Sequence, residues 1–80
     1  MLTKNEIKVI KAYKDDDFVS DFGWDNPSNA GWVKGFHNEC KLDSKTFSGT
    51  MSSLVKKGIF WTNGEAFGLT NKGIQIAEKL

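Results

Sequence analysis

The chain has 80 residues and a net charge of +1, and 39% of its residues are hydrophobic. This length predicts a single domain covering residues 1–80, and the aromatic fraction of 12% is too high for a disordered chain. A single cysteine excludes an internal disulfide, and no apolar run approaches the roughly 18 residues of a membrane span. Because the N-terminus also lacks a signal-peptide pattern, we expect a cytoplasmic protein.

The charges are unevenly distributed along the chain. Five of the ten acidic residues fall within residues 15–25, whereas the eleven basic residues, all lysines, lie outside this window. The rest of the chain is therefore basic, which favours a polyanionic partner. Without arginine, no side chain has the planar fork that reads guanine bidentately.

The residues for catalysis or metal binding are sparse. One histidine and one cysteine cannot assemble a catalytic triad or a multi-ligand zinc site from those two residue types. The run Asp15–Asp17 lacks the alternating ligands and glycine of a calcium loop. We therefore predict a protein that is not an enzyme, with no cofactor, no metal and no evident small-molecule ligand, and with Cys40 buried as a small apolar residue.

A first helix is predicted from about Lys4 to Lys14. It begins at a capping box, in which Thr3 caps the helix and Glu6 reaches back to the Thr3 N–H. Residues 15–28 then form an acidic insert that ends in a turn. We expect a short helix or strand within the insert, with four apolar side chains on the core: Phe18, Val19, Phe22 and Trp24.

The next two predicted helices are separated by a short link. The first begins at Ser28 or Asn29 and runs to about Cys40, with an inner stripe of Val33, Phe36 and Cys40. The second covers about residues 44–57, with Asp43 or Ser44 as its cap and Gly58 as its left-handed end. Two helices joined by a tight connection are typical of a helix-turn-helix.

The helix at about residues 44–57 has two distinct sides. Phe47, Met51 and Leu54 recur at i, i+4 and i+7, so they are predicted to face the core. The other side is small, hydroxyl-rich and positive, and could lie flat against an acidic polymer. Its candidate binding residues are Lys45, Ser48, Gly49, Ser52, Ser53 and Lys56.

Residues 59–69 predict a β-hairpin around Asn63-Gly64. A two-residue turn would pair Phe60 with Phe67. A three-residue loop of residues 62–64, with Gly64 left-handed, would instead pair Ile59 with Phe67. We favour the second register because it gathers four large side chains on one face: Ile59, Trp61, Phe67 and Leu69. Thr70 is then predicted to cap a last helix from Asn71 to Leu80, with Ile74 and Ala77 turned inward.

Residues 52–59, together with the run Gly68-Leu69-Thr70-Asn71-Lys72-Gly73, resemble winged helix-turn-helix DNA-binding domains. The chain is most similar to small phage and bacterial regulators related to the multiple-antibiotic-resistance repressors. The resemblance implies an α+β, mostly helical fold: a three-helix core, a two-stranded hairpin wing and a C-terminal helix. Two features depart from the family pattern, namely Glu65 at the hairpin tip and the long acidic insert.

The resemblance also implies a function, that of a small transcriptional regulator. The helix at about 44–57 would enter the major groove of double-stranded DNA, and the wing would add Asn63 and Gly64 to the binding residues. A homodimer or a protein partner would strengthen the few phosphate contacts. The alternative is a phage-encoded winged helix that docks on a host protein through the aromatic residues of its acidic insert.

Overall fold

The computed structural model describes residues 2–80, apart from the side chains of Phe18 and Phe22. The described part is α+β and mostly helical, with a small antiparallel sheet of three strands. In chain order its elements are α1 (Lys4–Asp15), α2 (Asp17–Phe22), β1 (Gly31–Trp32), α3 (Phe36–Cys40), α4 (Ser44–Lys56), β2 (Phe60–Thr62), β3 (Ala66–Leu69) and α5 (Asn71–Ala77). None of these helices combines the length and apolar character that a membrane span requires.

The capping box at the start of α1 is confirmed. The Thr3 hydroxyl accepts a hydrogen bond from the Glu6 N–H at 3.1 Å, and a Glu6 carboxylate oxygen accepts one from the Thr3 N–H at 2.8 Å. The helix buries Val9, Ile10 and Tyr13 on its inner side. It ends at Asp15, one residue beyond the predicted end.

The helix predicted from Ser28 or Asn29 to Cys40 is wrong. Gly31 and Trp32 form β1 instead, and only the last five residues of the stretch, Phe36–Cys40, are helical. A Cβ on Gly31 would lie 3.4–3.6 Å from Val19, Phe67 and Tyr13, which is ordinary van der Waals contact, so β1 lies directly on the core. Gly35 then turns the chain with a φ of +78°, a conformation that ends the strand segment before α3.

Both predicted hairpin registers are also wrong. The sheet has the order β1–β3–β2, and β2 pairs with β3 so that Phe60 lies opposite Leu69 and Thr62 opposite Phe67. Cross-strand partners share a face of the sheet, so Phe60, Phe67 and Leu69 face the core together. Trp61 lies on the other face, where its indole packs over Gly68 in the space that a Cβ would occupy. Ile59 is buried but precedes the strand.

The core is one cluster with an aromatic centre. The Tyr13 ring lies 5.4 Å from the Phe60 ring and 5.3 Å from the Phe67 ring, and Phe36 lies 4.9 Å from Phe67, as centroid distances. These edge-on and tilted contacts stabilise a small core beyond the area they bury. The predicted burial of Cys40 is confirmed, and burial raises the pKa of its thiol to about 11.

The acidic insert contains the short helix α2. Val19 is fully buried, as predicted. Trp24 is half-buried, with the Lys14 ammonium 4.6 Å from its ring centroid. The predicted positions of the Phe18 and Phe22 side chains lie outside the described residues.

The last helix, α5, begins where predicted and ends earlier. The Thr70 hydroxyl accepts from the Gly73 N–H at 3.0 Å, which confirms the cap. A Cβ on Gly73 would collide with the carbonyl of Ile59, so glycine allows α5 to lie directly on the chain entering β2. The helix ends at Ala77, with Ile74 and Ala77 buried and Leu80 exposed.

Candidate functional site

Three residues, 41–43, connect α3 to α4, and the start of α4 is well defined. Lys41, the first residue of the connection, has a left-handed φ of +59° that turns the chain. Asp43 then caps α4 by accepting from the Thr46 N–H at 3.4 Å. Hydrogen bonding to Thr46 also lowers the pKa of the Asp43 carboxyl. Local chemistry therefore fixes where α4 begins and how it leaves α3.

The predicted core side of α4 is confirmed. Phe47 and Met51 are nearly buried, and Leu54 is fully buried. This packing holds the opposite side of the helix toward solvent. Five candidate residues are exposed there: Lys45, Ser48, Gly49, Ser52 and Lys56.

The exposed side of α4 is not covered by the described residues. The side chains of Lys45 and Lys56 form no hydrogen bond or ion pair within this part of the chain. A Cβ on Gly49 would meet no atom within 4 Å, so packing does not require glycine there. The surface therefore has free ammonium and hydroxyl groups on a helix whose opposite side is packed against the core.

Ser53 lies apart from the other five residues. Its hydroxyl donates to a Glu6 carboxylate oxygen at 2.8 Å, and the Lys57 ammonium lies 2.8 Å from the other oxygen. Glu6 is completely buried on α1. Burial by itself raises the pKa of Glu6, but hydrogen bonds from Lys57, Thr3 and Ser53 outweigh it and lower the pKa to about 2. Ser53 therefore joins α4 to α1.

A groove of about 770 Å³ runs beside α4. One wall is α4 itself, and the other is formed by the loop after β1, the start of α3 and the hairpin tip. Its lining residues are Val33, Lys34, Gly35, His37, Ser44, Phe47, Ser48, Met51, Ser52, Val55, Lys56, Thr62 and Gly64. Among these described residues none carries a carboxylate, whereas two are lysines.

Only some of the predicted binding residues line the groove. Ser48, Ser52, Lys56 and Gly64 line it, while Lys45 and Gly49 lie on the exposed side of α4 outside it. The sequence interpretation missed Lys34 and His37, because residues 28–40 were assigned to a helix. The short spacing of Gly31 and Gly35 around Trp32-Val33 is the signal that favours a strand and turn here.

Asn63 and Gly64 shape the hairpin tip. The Asn63 side-chain oxygen accepts from the backbone N–H groups of Glu65 and Ala66, at 3.0 and 2.9 Å. Gly64 has a φ of +98°, so its predicted left-handed conformation is confirmed. The tip is thus held by its own hydrogen bonds and has the exposed Glu65 carboxylate but no cation among residues 62–65.

A second surface has the opposite charge. Asp15, Asp16, Asp17 and Glu39 border a hollow of about 330 Å³ at the end of α1. Burial raises the pKa of Glu39, and the neighbouring Asp16 and Asp17 raise it further. The described residues contain no group of three or more His, Cys, Asp or Glu that could hold a metal ion.

No protein-family model matches the chain, and neither does any curated protein or any solved structure. Function is therefore inferred from the geometry and charge of these two surfaces.

Proposed function

We propose that the chain is a winged helix-turn-helix protein that binds double-stranded DNA, with α4 in the major groove. In this proposal α1, α3 and α4 are the three-helix core, α3 and α4 are the helix-turn-helix, and the β2–β3 hairpin is the wing. The element order and the three-residue connection between α3 and α4 support this fold. Its biological role would be that of a small transcriptional regulator.

The observation that carries the proposal is the uncovered, carboxylate-free outer side of α4. Lys45 and Lys56 lie near its two ends, separated by about 16 Å along the axis at 1.5 Å per residue. This separation exceeds the roughly 12 Å width of the major groove. The two lysines can therefore reach phosphates on both strands while the middle of the helix faces the bases.

The residues between the lysines suit close contact with base edges. Ser48 and Ser52 have hydroxyls that both donate and accept hydrogen bonds. Gly49 has no side chain, so the helix backbone can approach the DNA closely. With so few phosphate contacts we expect weak, salt-sensitive binding by a monomer, which a homodimer or a protein partner would strengthen.

The test measures fluorescence anisotropy of a labelled duplex of about 20 base pairs, in 50 mM salt and then up to 200 mM. Lys45→Glu with Lys56→Glu is compared with Lys8→Glu plus Lys11→Glu, which makes the same charge change on the exposed side of α1. We expect the α4 variant to lose at least about tenfold in affinity, since it removes two phosphate contacts and adds repulsion. The α1 variant should stay within about threefold of wild type.

Two results would overturn the proposal. In the first, wild type fails to bind duplex DNA even at low salt, which would favour the docking of a protein instead. In the second, the α1 variant loses as much affinity as the α4 variant, which would make the interaction a response to net charge alone. Circular dichroism of each variant checks that the fold is retained.

A further inference from the structure

The wall of the groove opposite α4 supplies a cation that does not come from the hairpin. The hairpin tip carries Glu65 and no lysine, although the resemblance implies that the wing adds Asn63 and Gly64 to the DNA-binding residues. The loop after β1 does carry one, because Lys34 lines the same groove as Ser48, Ser52 and Lys56. A basic group therefore faces the groove from each wall.

Lys34 is available for a ligand. Its side chain is exposed and forms no hydrogen bond or ion pair within the described part of the chain. The backbone next to it is held in position, because the Val33 N–H donates to the Glu65 carbonyl at 2.9 Å and the Phe36 N–H donates to the Val33 carbonyl at 3.1 Å. An ordered loop thus presents a free ammonium group.

We propose that Lys34 binds the sugar–phosphate backbone of one DNA strand lying in this groove, opposite Lys56. The inference rests on the proposed DNA binding and names a contact outside the helix and the hairpin tip. The groove suits a strand of this chemistry because Val33, Met51 and Val55 offer apolar surface to the deoxyriboses. The two lysines offer charge to the phosphates.

The acidic residues next to Lys34 limit how far a DNA strand could extend along this side of the protein. Asp16 and Glu39 border a neighbouring hollow of about 200 Å³ that Lys34 and Gly35 also line. These carboxylates repel phosphate, so the strand would extend as far as Lys34 and not past it. Lys34 therefore marks the boundary between the proposed DNA surface and the acidic end of α1.

The experiment compares Lys34→Gln with Lys79→Gln, an equal charge change at an exposed lysine on the last turn of the chain. A third variant, Trp32→Ala, changes an exposed side chain two residues before Lys34, on the face of the sheet that points away from Phe67. Affinity for a labelled duplex is measured by anisotropy between 50 and 200 mM salt, so that both the affinity and the salt slope are obtained.

Lys34→Gln should weaken binding about three- to tenfold at low salt and reduce the slope of log affinity against log salt by about one, since one phosphate contact is lost. The two controls should keep the wild-type slope. If Lys34→Gln keeps that slope while Lys45→Glu with Lys56→Glu abolishes binding, this inference fails and the proposed function survives. Absence of wild-type binding would instead overturn both.

Discussion

Two Ser–Lys pairs at the C-terminal end of α4, the second of which includes the capping residue Lys57, have the same chemistry and different roles. Ser52 and Lys56 are exposed, whereas Ser53 and Lys57, one position further along, both contact the buried carboxylate of Glu6. One step along a helix rotates a side chain by about 100°. That rotation separates the residues proposed to contact DNA from those that attach α4 to α1, so residue type alone does not identify a binding residue.

The contact with Glu6 is what distinguishes Ser53 and Lys57 from Ser52 and Lys56. It closes the capping box of α1 and also accepts hydrogen bonds from Ser53 and Lys57, at the end of α4. A buried carboxylate is tolerated because charged and polar donors surround it. The proposed DNA surface is thus held in place by contacts on the hidden side of the same helix.

The largest expected effect is acid destabilisation through Glu6. Its pKa is about 2 in the folded protein against an ordinary value of 4.5, so its charged form stabilises the fold above about pH 4.5. That contribution, roughly 3–4 kcal/mol at 1.4 kcal/mol per pKa unit, is lost as the pH falls from 4.5 to 2. Between pH 7 and pH 3, the free energy of unfolding measured in urea should fall less for Glu6→Gln than for wild type. Equal decreases in the two proteins would contradict the stabilising role of the Glu6 charge.

The next largest difference in stability is expected between variants of Lys57 and of Lys56. Lys57→Gln should lower the free energy of unfolding by about 2 kcal/mol, because it removes a charged donor from a buried carboxylate. Lys56→Gln should change it by less than about 0.5 kcal/mol and should weaken DNA binding instead. Thermal unfolding and anisotropy on both variants measure the contrast. Equal stability of the two would show that the Glu6 contact is energetically unimportant.

The serine pair offers the same comparison without a change of charge. Ser53→Ala should cost about 1.5 kcal/mol of unfolding free energy, since Glu6 loses a hydrogen bond in a buried position. Ser52→Ala should leave stability within about 0.5 kcal/mol. Chemical denaturation of both variants measures this difference. A larger loss of unfolding free energy for Ser52→Ala than for Ser53→Ala would contradict the assigned roles of the two hydroxyls.

The smallest effect is expected at Gly49. Because an added Cβ would meet nothing within 4 Å, Gly49→Ala should stabilise α4 by up to about 1 kcal/mol through helix propensity. The same methyl group should weaken DNA binding if the helix backbone lies against base edges. Opposite changes in melting temperature and affinity would support the proposed interface. A stabilised variant with unchanged affinity would remove Gly49 from it.

The sequence predicted those elements whose ends are fixed by local chemistry. Thr3, Asp43 and Thr70 each accept a backbone hydrogen bond at the start of a helix, and such caps involve residues only three positions away. The apolar stripe of α4 was likewise readable because its period belongs to one helix. The outward position of Lys45 and Lys56 follows from that stripe.

The parts that the sequence did not determine depend on partners far along the chain. Residues 31 and 32 form a strand because they pair with Phe67 and Ala66, which a local helix pattern cannot reveal. The hairpin register depends on packing Phe60, Phe67 and Leu69 together against Tyr13 and the rest of the core. The sequence by itself determined the capped helices and the exposed lysines. Only the tertiary structure decided that the Ser53 hydroxyl donates to Glu6 and that Lys34 borders the groove, because both facts depend on which elements pack side by side.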